Sequence, residues 1–214
     1  MTNTSHVLAD DVADLALWLT MGLVRRLCEA DRFVREGARQ NTSFPLTRSM
    51  RGLKTGILGL GHIGAALAAR LELLGGEIGY HGRRRKPQVS YRYFDDLERM
   101  AEWCHVLAVS CPATKETENL VGVGVLRALG GSGILINIAR GSVVEEQALV
   151  SALGDFLIGG AGLDVFANEP HVPDLLAEHP RVITLPHIGS ATIETRHAMG
   201  QAMIGALRSH FRPS

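Results

Sequence analysis

Arg140, Glu169 and His187 are of the types needed for acid–base chemistry on a small organic anion. Arg140 follows the apolar run Leu135-Ile136-Asn137-Ile138-Ala139 and precedes Gly141. Glu169 sits in Asn168-Glu169-Pro170, and His187 in Pro186-His187-Ile188-Gly189-Ser190. A guanidinium can grip a carboxylate through two parallel hydrogen bonds. An imidazole titrates near neutrality and can give or take a proton, and a neighbouring carboxylate favours its protonated form. Reducing a 2-oxo acid asks for these parts: a cation for the substrate carboxylate and a proton donor for the forming alkoxide. Asp164 ends another apolar run and could accept from a nicotinamide carboxamide. Singly, each residue has a plainer explanation: a surface arginine, a structural histidine, a glutamate in a turn before proline.

Such a reduction also needs a hydride carrier, and the sequence contains a cradle for one. Gly59-Leu60-Gly61-His62-Ile63-Gly64 follows an expected strand at 55–59 and opens an expected helix at 62–74. That strand–turn–helix setting is what makes a GxGxxG pattern specific. Gly59 would allow the tight turn, Gly61 the approach of a pyrophosphate, and Gly64 the close packing of helix on strand. Free N–H groups at the helix start would hold the phosphates. The plainer alternative is a glycine-rich turn without ligand.

A ribose-binding acid would stand roughly 20 residues further on in an NAD site. The chain instead reads Tyr80-His81-Gly82-Arg83-Arg84-Arg85-Lys86. Guanidinium groups there suit a 2′-phosphate, so NADP(H) is the preferred cofactor, with NAD(H) possible. A solvated basic turn is the alternative.

These residues need a scaffold that brings them to one edge. Further strands are expected at 77–81, 105–110, 133–138, 158–164 and 182–185. Helices are expected at 95–101, partly at 120–129, at 145–153 and at 191–211. Strands alternating with helices and carrying near-continuous apolar runs predict an α/β fold with a doubly wound parallel sheet, a Rossmann domain. In such sheets ligands bind beyond the carboxyl ends of the strands, where Arg140, Glu169 and His187 all fall. Before the sheet, Val12, Leu15, Ala16, Leu19, Leu23 and Leu27 recur at helical spacing. They predict one long interdomain or dimer helix from Asp10 to about Gly37, then a loop through Asn41, Ser43 and Pro45. Its apolar face calls for cover from another subunit or a further domain.

Composition excludes other classes. The 214 residues are 46% hydrophobic and 21% charged, with a formal net charge of zero. That leaves no broad field for nucleic acid. The first apolar stretch, 15–24, is too short to span a bilayer, so no membrane partner is expected. Cys28, Cys104 and Cys111 have neither metal-ligand spacing nor an even disulfide count, which suits a reducing, cytoplasmic setting and no metal.

These motifs, in this order, resemble the D-isomer-specific 2-hydroxyacid dehydrogenases. Gly56-Ile57-Leu58-Gly59-Leu60-Gly61-His62-Ile63-Gly64, Leu135-Ile136-Asn137-Ile138-Ala139-Arg140-Gly141, Gly160-Ala161-Gly162-Leu163-Asp164-Val165-Phe166, Asn168-Glu169-Pro170 and Pro186-His187-Ile188-Gly189-Ser190 carry the likeness. Thr2-Asn3-Thr4, residues 10–16 and Gly82-Arg83-Arg84-Arg85-Lys86-Pro87 are similar to the plant-type glyoxylate/hydroxypyruvate and hydroxyphenylpyruvate reductases of that family. The resemblance implies Arg140 as carboxylate binder, His187 as acid/base and Glu169 as its partner. It implies NADPH-dependent reduction of a small 2-oxo acid to a D-2-hydroxy acid, in a homodimer built partly on the first helix. The residues expected around the cofactor are Gly59, Gly61, His62, Ile63, Gly64, Gly82, Arg83, Arg84, Cys111, Pro112, Thr117, Ile138, Arg140, Asp164, His187 and Gly189.

The departure is at the start. Family members begin with part of a flavodoxin-like substrate domain, and this sequence starts near the crossing into the Rossmann domain. The expected division is 1–40, a remnant of the substrate domain and interdomain helix; 41–190, the Rossmann domain; and 191–214, a helix returning toward the substrate domain. The missing wall of the cleft predicts that NADPH binding survives better than catalysis. A catalytically silent NADP(H)-binding protein, like the corepressors that resemble this family, is the alternative. So is a coding sequence whose real start lies upstream.

Overall fold

A computed structural model describes residues 7–38 and 42–210. Thr2-Asn3-Thr4, Asn41 and Phe211, used above, lie outside the described residues. Among the described residues seven strands form one sheet: β1 (Lys54–Leu58), β2 (Glu77–His81), β3 (Arg92–Phe94), β4 (Val106–Val109), β5 (Ile134–Asn137), β6 (Gly160–Leu163) and β7 (Val182–Thr184). Their order is β3-β2-β1-β4-β5-β6-β7, and every pair is parallel. The helices are α1 (Ala9–Val24), α2 (Leu27–Arg35), α3 (His62–Leu73), α4 (Leu97–Trp103), α5 (Val123–Leu129), α6 (Glu146–Gly154), α7 (Asp174–Ala177) and α8 (Ile193–His210).

The central strands of the sheet are buried on both faces, which is why β4 and β6 are continuously apolar. On β4 the side chains alternate: Val106 and Ala108 join a core with α1 and α3, while Leu107 and Val109 join one with α4, α5 and α6. The expected doubly wound parallel sheet is therefore present. The order reverses between β1 and β4, so the loops after these strands depart to opposite sides and leave a crevice between them.

The first helix differs from expectation in two ways. It breaks at Arg26, whose backbone is left-handed (φ 52°). The break comes level with the start of β6, where a Cβ on Gly160 would lie 3.5 Å from Cδ2 of Leu23. Beyond the break, α2 buries no residue. The apolar face of α1 is also covered from within the chain. Ala13, Ala16 and Leu19 are fully buried against α3 and the sheet. Glycine makes the close approach possible, since a Cβ on Gly162 would lie 3.2 Å from Cβ of Leu19. Arg70 of α3 then bonds Asp10 and Asp14 of α1 at 3.0 and 2.6 Å. The short elements β3 and α7 lack an apolar period long enough to announce them.

Candidate active site

The glycine loop packs where the sheet order reverses. Gly59 has φ 95°, and a Cβ there would lie 2.6 Å from Cα of Cys111, in the loop after β4. A Cβ on Gly64 would meet the Gly59 carbonyl at 2.4 Å and Oγ of Ser110 at 2.8 Å. Gly59 and Gly64 thus let two loops and a helix meet. Gly61 is different: a Cβ there would meet nothing within 4 Å. It caps α3 without a side-chain hydrogen bond, so the first N–H groups of the helix, on His62 and Ile63, face an open cradle. These features fit a pyrophosphate.

The basic turn borders this cradle, because β1 pairs with β2 and the Gly59 N–H donates to the His81 carbonyl at 2.9 Å. Gly82 is held by the Tyr93 hydroxyl at 3.2 Å. Arg83, Arg84 and Arg85 are exposed and form no ion pair among the described residues. Lys86 behaves differently from its neighbours: its Nζ donates to the Leu60 carbonyl and its N–H to the Tyr80 hydroxyl. It ties the arginine turn to the glycine loop.

On the other side of the crevice, the turn after β4 is closed by Thr117, whose hydroxyl donates to the Pro112 carbonyl at 2.8 Å. Burial pushes the Cys111 thiol up to about 11, leaving it an inert packing group. Ile138 is 5% exposed, with its side chain in the core beside α1. Only its backbone is available to a ligand, which narrows the sequence expectation for this residue.

Beyond β5, β6 and β7 lie the acid–base residues. His187 Nδ1 is 2.8 Å from Oε2 of Glu169. Glu169 Oε1 accepts the Phe166 N–H at 3.1 Å. Burial raises the Glu169 pKa, but the bonds from His187 and Phe166 and the charges of His187 and Arg140 outweigh it. The carboxyl is held below the usual glutamate range. His187 has a left-handed backbone (φ 57°), a conformation that persists in a non-glycine residue only when its surroundings impose it. Asp164 imposes it: Oδ1 accepts the Ile188 N–H and Oδ2 the Gly189 N–H, each at 2.8 Å. Burial raises the Asp164 pKa against these two bonds, which lower it. Asp164 is 2% exposed, so holding this loop comes first.

Arg140 stands exposed at the end of the turn after β5, its Nη1 donating to the Ala139 carbonyl at 2.6 Å. Gly141 brings this turn against the Glu169 segment: a Cβ there would lie 1.9 Å from the Phe166 carbonyl carbon. The structure thus brings Arg140, Glu169 and His187 to one edge, next to the dinucleotide cradle. Asn137 and Lys86 were not singled out as site residues. The signal for Asn137 was available, since it is a polar residue closing an otherwise apolar strand. A cavity of about 530 Å³ lies elsewhere, between α1, α2 and the opposite edge of the sheet. Among the described residues no cluster fit to hold a metal ion occurs and no helix is long and apolar enough to cross a membrane.

Residues 17–189 match the family described as D-isomer specific 2-hydroxyacid dehydrogenase, NAD binding domain. A glyoxylate/hydroxypyruvate reductase A of Arabidopsis thaliana is 47% identical over 211 residues, 99% of this chain and 67% of that protein. A hydroxyphenylpyruvate reductase of Plectranthus scutellarioides is 46% identical over the same coverage. An NADPH-dependent glyoxylate/hydroxypyruvate reductase of Sinorhizobium meliloti, solved with NADP and malonate, superposes with a TM-score of 0.90 at 44% identity. That match covers 96% of this chain and 65% of the solved one. The chain thus spans about two thirds of the length of these relatives.

Proposed function

The chain belongs to the D-isomer specific 2-hydroxyacid dehydrogenases, and from that premise we propose that it serves the NADPH-dependent reduction of a small 2-oxo acid, of the glyoxylate or hydroxypyruvate type, to the D-2-hydroxy acid. The observation that carries this reading is the Glu169–His187 pair beside Arg140, on the same sheet edge as the glycine cradle. In the proposed mechanism Gly61, His62 and Ile63 hold the pyrophosphate, Arg83 and Arg84 the 2′-phosphate, and Asp164 the carboxamide side. When bound, the reduced nicotinamide supplies the hydride. Arg140 holds the substrate carboxylate and orients the keto carbon. His187 Nδ1 faces Glu169, so Nε2, on the other side of the ring, gives its proton to the substrate oxygen. Glu169, bonded to Nδ1, orients the ring for that transfer. The malonate and NADP in the S. meliloti reductase are a carboxylate and a phosphorylated dinucleotide, the two ligand chemistries invoked here.

The proposal places the dinucleotide-binding unit at 41–190, with 1–40 and 191–214 belonging to the connection with a substrate domain. It also makes the protein a cytoplasmic homodimer. Trp18, Leu27 and Val34 give the outer side of α1 and α2 exposed apolar surface suited to a second copy. The free cysteines are as a reducing compartment would keep them. The test is direct: titrate the purified protein with NADPH and NADH, then follow NADPH oxidation with hydroxypyruvate and glyoxylate. Saturable turnover of either acid supports the proposal. NADPH binding without turnover would favour a silent cofactor-binding role, and no binding would overturn both.

A further inference from the structure

We infer that Asn137 is a positioning residue for Arg140, and through it for the carboxylate end of the substrate. The inference rests on the role proposed for Arg140. Asn137 is the last residue of β5 and is 1% exposed. Both polar atoms of its side chain are used on the turn that follows. Oδ1 accepts the Ala139 N–H at 3.1 Å, and Nδ2 donates to the Arg140 carbonyl at 3.1 Å. The Arg140 guanidinium closes the turn from the other side through the Ala139 carbonyl. Three hydrogen bonds therefore fix four residues, and all three involve Asn137 or Arg140.

An apolar residue would be the expected end of such a strand, since β5 is otherwise Ile134, Leu135 and Ile136. Burying an amide is costly unless both ends are bonded. Here both are, and the partners are the backbone groups that set where Arg140 leaves the sheet. The Asn137 carbonyl also accepts the Asp164 N–H at 3.0 Å. Asn137 thus joins the turn carrying Arg140 to the strand end that holds the His187 loop. Gly141 passes this position on to the Glu169 segment by its contact with Phe166. The two Asn137 bonds fix the backbone from which the Arg140 side chain departs, and so narrow the region its guanidinium can reach.

The test compares Asn137→Ala, Asn137→Asp, Arg140→Gln and the double variant Asn137→Ala/Arg140→Gln with the parent protein. The aspartate keeps the acceptor for Ala139 and loses the amide donor to Arg140. Four quantities are read: thermal midpoint, NADPH affinity, KM and kcat for hydroxypyruvate, and the affinity for oxamate in the presence of NADPH. Both Asn137 variants are expected to raise KM and weaken oxamate by about tenfold or more, with NADPH affinity within about twofold. In the Arg140→Gln background the Asn137 change should add little, because the two residues act as one unit. A flat KM in Arg140→Gln would overturn the assignment of Arg140, and this inference with it. A raised KM in Arg140→Gln beside a flat KM in folded Asn137 variants would overturn this inference alone. In the unaltered protein the Ala139 amide should exchange slowly with solvent, and exchange at the rate of an open loop would overturn it without any variant.

Discussion

Glu169 and His187 meet at 2.8 Å although they are 18 positions apart and belong to different loops. Neither loop makes this contact alone. Phe166 turns the carboxylate through its N–H, and Asp164 holds the imidazole loop through Ile188 and Gly189. The pair is therefore only as well placed as the ends of β6 and β7.

That pair gives a pH-dependent prediction. The folded value of Glu169 lies below its unfolded one. Its stabilising contribution is then full above the unfolded value and is lost as pH falls through the folded one. Glu169→Gln should be less stable than the parent at pH 7 by about 0.5 kcal/mol, a small figure because the pair is partly exposed. The difference in thermal midpoint should shrink as pH falls through the folded value of Glu169. The variant's reductive rate should also fall, because the carboxylate that holds His187 Nδ1 is gone. A midpoint difference that stays constant down to pH 3 would count against the pairing.

Asp164→Asn tests the post behind His187. One carboxylate oxygen becomes an amide donor facing a backbone N–H, so one of two hydrogen bonds is lost and a repulsive contact replaces it. A cost of about 1–3 kcal/mol is expected, with faster amide exchange at Ile188 and Gly189 than elsewhere in the sheet. Unchanged exchange at these two amides would show that the loop is held by something else.

The glycines of the cradle separate by role. Gly64→Ala forces a Cβ against the Gly59 carbonyl. It should lower both thermal stability and NADPH affinity. Gly61→Ala adds a methyl where nothing lies within 4 Å. It should leave the melting temperature within about 2 °C, a ΔΔG of about 1 kcal/mol or less for a domain of this size, yet weaken NADPH and NADH alike. Fluorescence titration beside a melt distinguishes the two. A Gly61→Ala protein binding NADPH as the parent does would place the pyrophosphate elsewhere.

The arginine turn makes a prediction of selectivity. Arg83 and Arg84 are exposed and unpaired among the described residues, so neutral replacements should not alter folding. Arg83→Gln/Arg84→Gln should weaken NADPH by about tenfold to a hundredfold, the loss expected for charge-assisted bonds to a phosphate, while NADH changes little. Equal weakening of both cofactors would remove the case for 2′-phosphate recognition.

Much of the fold was legible because its signals are local. The apolar runs of β1, β4, β5 and β6 and the glycine turn after β1 lie within a few residues of one another. So do the types and neighbours of Arg140, Glu169 and His187. What escaped is set by contacts across the chain. The left-handed Arg26 that breaks the first helix carries no glycine or proline signal in the sequence. The cover over α1 depends on Gly162 of β6, far along the sequence, leaving room for Leu19.

The sequence by itself determined a parallel α/β unit, the position of the cradle and the cationic turn that follows it, because each follows from side-chain type and short-range period. Only the tertiary structure decided that Glu169 faces His187, that Asn137 closes the turn of Arg140, and that Lys86 binds the glycine loop while its arginine neighbours stay exposed. The physical reason is common to all three. A buried or half-buried polar group takes whichever partner the packed chain brings within about 3 Å, and those partners come from strands and loops that meet only when the sheet is assembled.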